Sequence, residues 1–152
     1  MPSTDGVATT SRSTFRRECA VSTSIGAPPE RVWELLTDGP GFPRWNSTVT
    51  GIEGEIAPGA RLALSVPVSD RTFRVTVTEF DPPRRMVWAD GRAPMFRGVR
   101  VYTLEPEGPG TRFTMAETFT GLMVPLVARS LPDFAPVFER YAADLRAAAE
   151  AG

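Results

Sequence analysis

The stretch GVRVYTLEPEGPGTRFTMAETFTG, residues 98–121, decides the fold. Two strand-like runs flank Glu107, Gly108, Pro109 and Gly110, the composition of a tight β-hairpin turn. If Leu104 stands opposite Phe113, then Tyr102 faces Met115, Arg100 faces Glu117 and Gly98 faces Phe119. Side chains alternate across a strand, so these residues share one face, and its large apolar members mark it as the inner one. Arg100 and Glu117 then meet on an otherwise apolar surface. Burying either charge alone is costly, so the two are expected to pair or to be wetted by a cavity, where they would anchor the polar end of a ligand. The alternative is a slip of one residue, which turns both charges to solvent as an ordinary cross-strand pair. That slip would also expose Tyr102, Leu104, Phe113, Met115 and Phe119, which favours the inward register.

The turn at Asp81, Pro82, Pro83 and Arg84 supports a similar argument. It sets Val77 opposite Trp88 and Val75 opposite Asp90, on the same inner side as Met86, which makes Trp88 a wall residue and places Asp90 near a rim or in a solvated loop. Strand patterns cover residues 48–55, 60–67, 72–80, 85–90, 96–105 and 111–121, and alternation of Cys19, Val21, Thr23 and Ile25 marks a first strand over residues 15–25. Pro28, Pro29 and Glu30 open a short helix with Val32, Leu35 and Leu36 on its apolar side, ended by residues 39–43. A brief irregular or helical piece carries Phe42 and Trp45. Trp45 either plugs the core or closes a cavity opening.

After Gly121 the period changes. Asp133 is a plausible N-cap, and Phe134, Phe138, Tyr141 and Leu145 recur at helical spacing to the alanine-rich end. Residues 122–131 are apolar and lead in as a shorter helical turn, with Pro132 breaking the two apart. A sheet with one apolar face needs a cover, and the long C-terminal helix supplies it. The expected fold is therefore α+β: a curved antiparallel sheet of about six or seven strands wrapped round a long C-terminal helix, with two short helices after the first strand.

Length and composition agree. The 152 residues suit a single domain, over residues 15–150, with residues 1–14 read as a disordered leader rich in Ser, Thr and Gly. That leader lacks the apolar stretch of a signal peptide, and no segment is long and apolar enough to span a membrane. Lys and Arg total 17 against 18 Asp and Glu, with no basic run that could follow a phosphate backbone, so nucleic acid is not an expected partner. Cys19 is the only cysteine and there is no histidine. An intramolecular disulfide, multi-cysteine metal sites, histidine metal sites and His-dependent triads are thereby excluded, and Cys19 reads as a small buried apolar residue. No metal and no cofactor is expected, the dinucleotide and nucleotide loop motifs being missing as well. The single cysteine fits a reduced, cytoplasmic setting.

Six segments together resemble the polyketide cyclase/dehydrase-like members of the START-related, Bet v 1-like (SRPBCC) superfamily. They are IGAPPERVWELLTD (25–38), FPRWN (42–46), FDPPRRMVW (80–88), YTLEP (102–106), GTRFT (110–114) and ETFTG (117–121). Each is weak alone; their order and spacing are what carry the resemblance, over roughly residues 15–148. It implies the helix-grip fold and a hydrophobic cavity between sheet and long helix. Related sequences often carry a histidine near the position held here by Arg100, and this departure shifts weight from acid–base catalysis toward binding. Arginine is a poor proton acceptor but a permanently charged, forked donor suited to a carboxylate, phenolate or enolate.

The favoured expectation is binding of a small hydrophobic, aromatic or polyketide-like ligand by Trp45, Trp88, Asp90, Tyr102, Met115, Phe119, Met123, Phe134 and Phe138. The alternative is a cyclase or dehydratase without metal, a lyase or isomerase in which Arg100 polarises a carbonyl while Glu117 or Tyr102 moves a proton. A co-chaperone-like interaction module is the third reading. The expected partner is a small apolar or aromatic molecule, and the chain is expected to be a monomer or a homodimer.

Overall fold

The computed structural model describes residues 5–67, 69–129 and 133–151. Eight antiparallel strands form one sheet: β1 Thr9–Ser13, β2 Arg16–Ile25, β3 Gly51–Glu53, β4 Arg61–Val66, β5 Ser69–Asp81, β6 Arg85–Arg92, β7 Phe96–Glu107 and β8 Gly110–Thr120. Their spatial order is β1-β2-β8-β7-β6-β5-β4-β3. Between β2 and β3 lie helix α1, Pro29–Thr37, a single 3-10 turn at Gly39–Gly41, and α2, Phe42–Trp45. After β8 come α3, Val124–Val127, and the long α4, Ala135–Ala151.

The hairpin register is as its turn dictates. Gly108, at φ +59°, and Pro109 form a two-residue loop between Glu107 and Gly110, and the ladder pairs Leu104 with Phe113, Tyr102 with Met115, Arg100 with Glu117 and Gly98 with Phe119. Val77 likewise pairs with Trp88, and a bulge after Val77 brings Phe80 opposite Met86. The inner face is buried against α4, whose Phe138, Tyr141, Ala142, Leu145 and Ala149 are the inward stripe. Asp133 accepts a 3.1 Å bond from the amide of Ala135 and so steadies the first turn of α4.

Three boundaries differ from the sequence expectation. The sheet has eight strands, because residues 9–13, expected within a disordered leader, pair with β2 as an edge strand. The pairing extends from Thr9 opposite Ala20 to Ser13 opposite Arg16, and Asp5 anchors the preceding segment by accepting from Thr23 Oγ1 at 3.0 Å and the Ser24 amide at 2.8 Å. Residues 1–4 lie outside the described residues. The strand expected over residues 48–55 shortens to β3, since the Asn46 side chain binds the Thr48 amide at 2.9 Å and holds that segment as a turn. The helical turn expected over residues 122–131 is observed as α3, with Leu131 and Pro132 outside the described residues.

Candidate functional site

The inner face is built in rows across the sheet. One row runs Val77, Trp88, Arg100, Glu117, Cys19 and Thr10, and the next runs Phe80, Met86, Tyr102, Met115 and Val21. Arg100 Nη2 and Glu117 Oε2 are 3.1 Å apart, with side chains only 18% and 16% exposed. The Arg100 guanidinium also lies 5.1 Å from the centre of the Phe138 ring on α4, a cation–π contact.

Around this pair the aromatic side chains join in two series. Trp88 meets Tyr102 at 5.1 Å between ring centres, Tyr102 meets Tyr141 at 6.1 Å, and Tyr141 meets Trp45 at 5.7 Å. In the second series Phe96 stacks on Phe119, Phe119 on Phe134, and Phe134 leans on Phe138 beneath Arg100. Trp88, Tyr102, Phe113, Phe138 and Tyr141 are at most 2% exposed and occupy the space between sheet and helix. At the β1 end lies a groove of about 540 Å³ lined by Thr10, Arg17, Cys19, Phe119 and Phe134.

Five polar atoms in the first series and beside it are buried without a hydrogen-bond partner: Trp45 Nε1, Trp88 Nε1, Arg100 Nε, Tyr102 Oη and Tyr141 Oη. The Tyr102 hydroxyl lies within hydrogen-bonding reach of both Arg100 and Tyr141 and interacts with each, although neither contact has the geometry of a full hydrogen bond. Burial opposes the charge on Arg100, but Glu117 and Tyr102 together outweigh it and hold its pKa above the ordinary arginine value. Burial, reinforced by Tyr102, raises Tyr141 well above the ordinary phenol range, so its proton stays on. Burial likewise lifts the Cys19 thiol to about 11, with Asp133 and Glu117 adding to the effect. The indole and Nε groups can only donate, and the protonated Tyr141 can donate too, so the wall they form suits a molecule that brings oxygen acceptors into an apolar space.

The structure therefore gathers Trp45, Trp88, Arg100, Tyr102, Met115, Glu117 and Phe138, with Phe119 and Phe134 leading out to the groove. It does not bring Asp90 to them. Asp90 is exposed, accepts the Gly91 amide at 2.8 Å, and lines a separate concavity of about 720 Å³ with Arg61, Arg74 and Arg97, because β6 has run past the edge of the core there. Met123 is half-buried ahead of α3, its amide donating to Met95. Tyr141 was read only as part of the helical stripe, but it touches Trp45, Tyr102 and Phe113 and joins helix to wall. Its hydroxyl on an otherwise apolar stripe was the available signal. Among the described residues no group of three or more Asp, Glu or Cys side chains is placed to hold a metal ion.

Residues 16–151 match the family described as polyketide cyclase / dehydrase and lipid transport. No curated protein matches the sequence. Among solved structures, the di-domain ARO/CYC BexL from the BE-7585A biosynthetic pathway superposes with TM-score 0.73 at 17% identity, covering 93% of this chain and 52% of BexL. CalU16 from Micromonospora echinospora superposes with TM-score 0.58 at 20% identity, covering 95% and 96%. Ara h 8.0201 gives TM-score 0.62 at 14% identity, covering 90% and 99%. At these identities the likeness is one of fold.

Proposed function

Because the chain belongs to the polyketide cyclase / dehydrase and lipid transport family, we propose that it binds a small, ring-containing apolar molecule carrying several oxygen acceptors between the sheet and α4. The observation that carries this reading is the set of five buried polar atoms without a full hydrogen-bond partner, three on the sheet, one on α2 and one on α4. Each such group costs of order 1–3 kcal/mol when buried without a partner, a cost that a ligand supplying acceptors removes. Carbonyl or phenolic oxygens spaced along a fused-ring or polyketide-like skeleton fit both the donors and the apolar surface between them. Arg100 takes the polar end through Nε, while Glu117 holds its Nη2. The ligand passes through the groove at Phe119 and Phe134, which are half-buried, and displaces side chains that otherwise fill the interior.

Organic extraction and native mass spectrometry of the purified protein test this, together with a tryptophan-fluorescence titration using 1-anilinonaphthalene-8-sulfonate, an aromatic anion. Wild type is expected to retain a ligand or bind the probe. Arg100→Leu and Trp88→Ala should lose it, and Tyr102→Phe, which deletes one hydroxyl, should weaken it several-fold with the fold intact. A wild type that holds no molecule and does not bind the probe sinks the reading.

A second reading, ring closure of a poly-β-ketone, is favoured by the placing of the Tyr102 hydroxyl beside the permanently charged Arg100. Arg100 would stabilise an enolate oxygen and Tyr102 or Glu117 would move the proton. Its signature would be a cyclised isomer of the retained molecule or, once the new hydroxyl takes a proton from Tyr102 or Glu117 and leaves as water, a product lighter by one water.

A further inference from the structure

We infer that the end of the molecule formed by the β1–β2 turn, the β6–β7 turn and α3 is a docking surface for an anionic lipid bilayer. Three backbone hydrogen bonds draw these loops together: Gly121 donates to Phe15 at 3.1 Å, Leu122 to Pro94 at 2.9 Å and Met123 to Met95 at 2.8 Å. The resulting tip projects Phe15, Met95, Leu122 and Leu126, which are 51%, 50%, 55% and 70% exposed. Among the described residues, four of the six large apolar side chains left in solvent are therefore concentrated at one end.

Charge identifies the partner. The stretches 12–17, 92–97 and 120–129 contain Arg12, Arg16, Arg17, Arg92, Arg97 and Arg129 and no Asp or Glu, although the whole chain has a net charge of only −1. The ladder keeps five of these arginines at the tip: Arg16 and Arg97 both stand opposite Thr120, Arg12 opposite Arg17, and Arg92 opposite Phe96; Arg129 follows α3. Arg16 pairs with Glu18; the other five have no carboxylate partner among the described residues. Exposed apolar side chains amid unpaired cations suit a surface with an acyl interior and anionic headgroups. A second copy of this chain fits less well, since a two-fold contact through the tip sets arginine largely against arginine, and the carboxylates that border it are engaged: Glu18 by Arg16, Asp90 by the Gly91 amide and Asp133 by the Ala135 amide. No helix is long and apolar enough to cross a membrane, so the contact is peripheral.

Co-sedimentation with vesicles of phosphatidylcholine, with and without phosphatidylglycerol, tests the inference independently of any interior ligand. Binding is expected with phosphatidylglycerol only, and should weaken as salt rises. Leu122→Glu combined with Leu126→Glu should abolish it, Arg92→Ala and Arg97→Ala should each weaken it roughly fivefold, and Phe73→Glu, at an exposed apolar side chain on β5, should leave it unchanged. Since Leu122 and Leu126 are exposed, thermal melts should find the double variant folded. Failure to bind the anionic vesicles overturns the inference. So does binding that the tip variants leave intact, or a concentration-dependent dimer that they dissociate.

Discussion

Glu117→Gln leaves Arg100 charged, largely buried and without its counter-charge, and the structure sets the scale of the loss. Breaking a fully buried pair from one side costs about 3–5 kcal/mol. Both side chains here keep about a sixth of their surface in solvent, and Arg100 retains the Phe138 ring, a contact of order 1 kcal/mol. The expected destabilisation is therefore about 2–3 kcal/mol. At roughly 2–4 °C per kcal/mol for a domain of this size, Tm should fall by about 5–10 °C. Urea unfolding at unchanged m-value measures it directly. Replacing both partners, Arg100→Met with Glu117→Leu, should recover most of the loss, because no charge is then stranded, and the double-mutant cycle should give a coupling of order 2 kcal/mol. Glu79→Gln is the reference: its pair with Arg85 is about half exposed and should be worth at most ~1 kcal/mol. The reasoning fails if Glu117→Gln is no worse than Glu79→Gln, or if the two substitutions at the buried pair simply add.

Two further outcomes follow from single positions. Cys19 sits on the inner face with its pKa raised from 9.0 to about 11, so at pH 8 its thiolate fraction is roughly 100-fold below that of a free thiol. Ellman's reagent should react slowly with the native protein and fast once it is unfolded. The fold favours the protonated thiol, so its contribution to stability is complete below pH 9 and is lost as pH rises toward about 11; native and unfolded rates that coincide would refute this. Gly121 has φ +128°, and a Cβ there would lie 2.3 Å from the Met95 carbonyl oxygen. Gly121→Ala should cost about 2 kcal/mol or more by strain and by forcing the loops apart. Gly51→Ala, where a Cβ meets nothing within 4 Å, should be close to neutral in the same thermal melt.

The hairpin and the helix were legible because their signals are local. A two-residue turn at Gly108 and Pro109 sets the register of every pair behind it, and a period of two then sends Arg100 and Glu117 to the same side as Tyr102 and Met115. Helical spacing in the same way put Phe138, Tyr141 and Leu145 on one face of α4. The family pattern was readable for the same reason, as order and spacing along the chain. β1 was not legible: TTSRS has no apolar alternation, and it becomes a strand only because β2 presents an open edge and Asp5 finds partners far along the chain. For Asp90 the sequence left a rim and a solvated loop open, since pairing alone does not tell where a strand leaves the core; its side chain is exposed.

By itself, then, the sequence determined the α+β class, the pairing across residues 98–121, and which residue types share the inner face. Only the tertiary structure decided that Tyr141 joins helix to wall, that five polar atoms are left without full hydrogen-bond partners between them, and that three loops far apart in the chain gather their arginines and exposed apolar side chains at one end. Register and helical phase depend on neighbours within a few residues, whereas burial and satisfaction depend on what the rest of the chain brings alongside, and that is a property of contacts between segments remote in sequence.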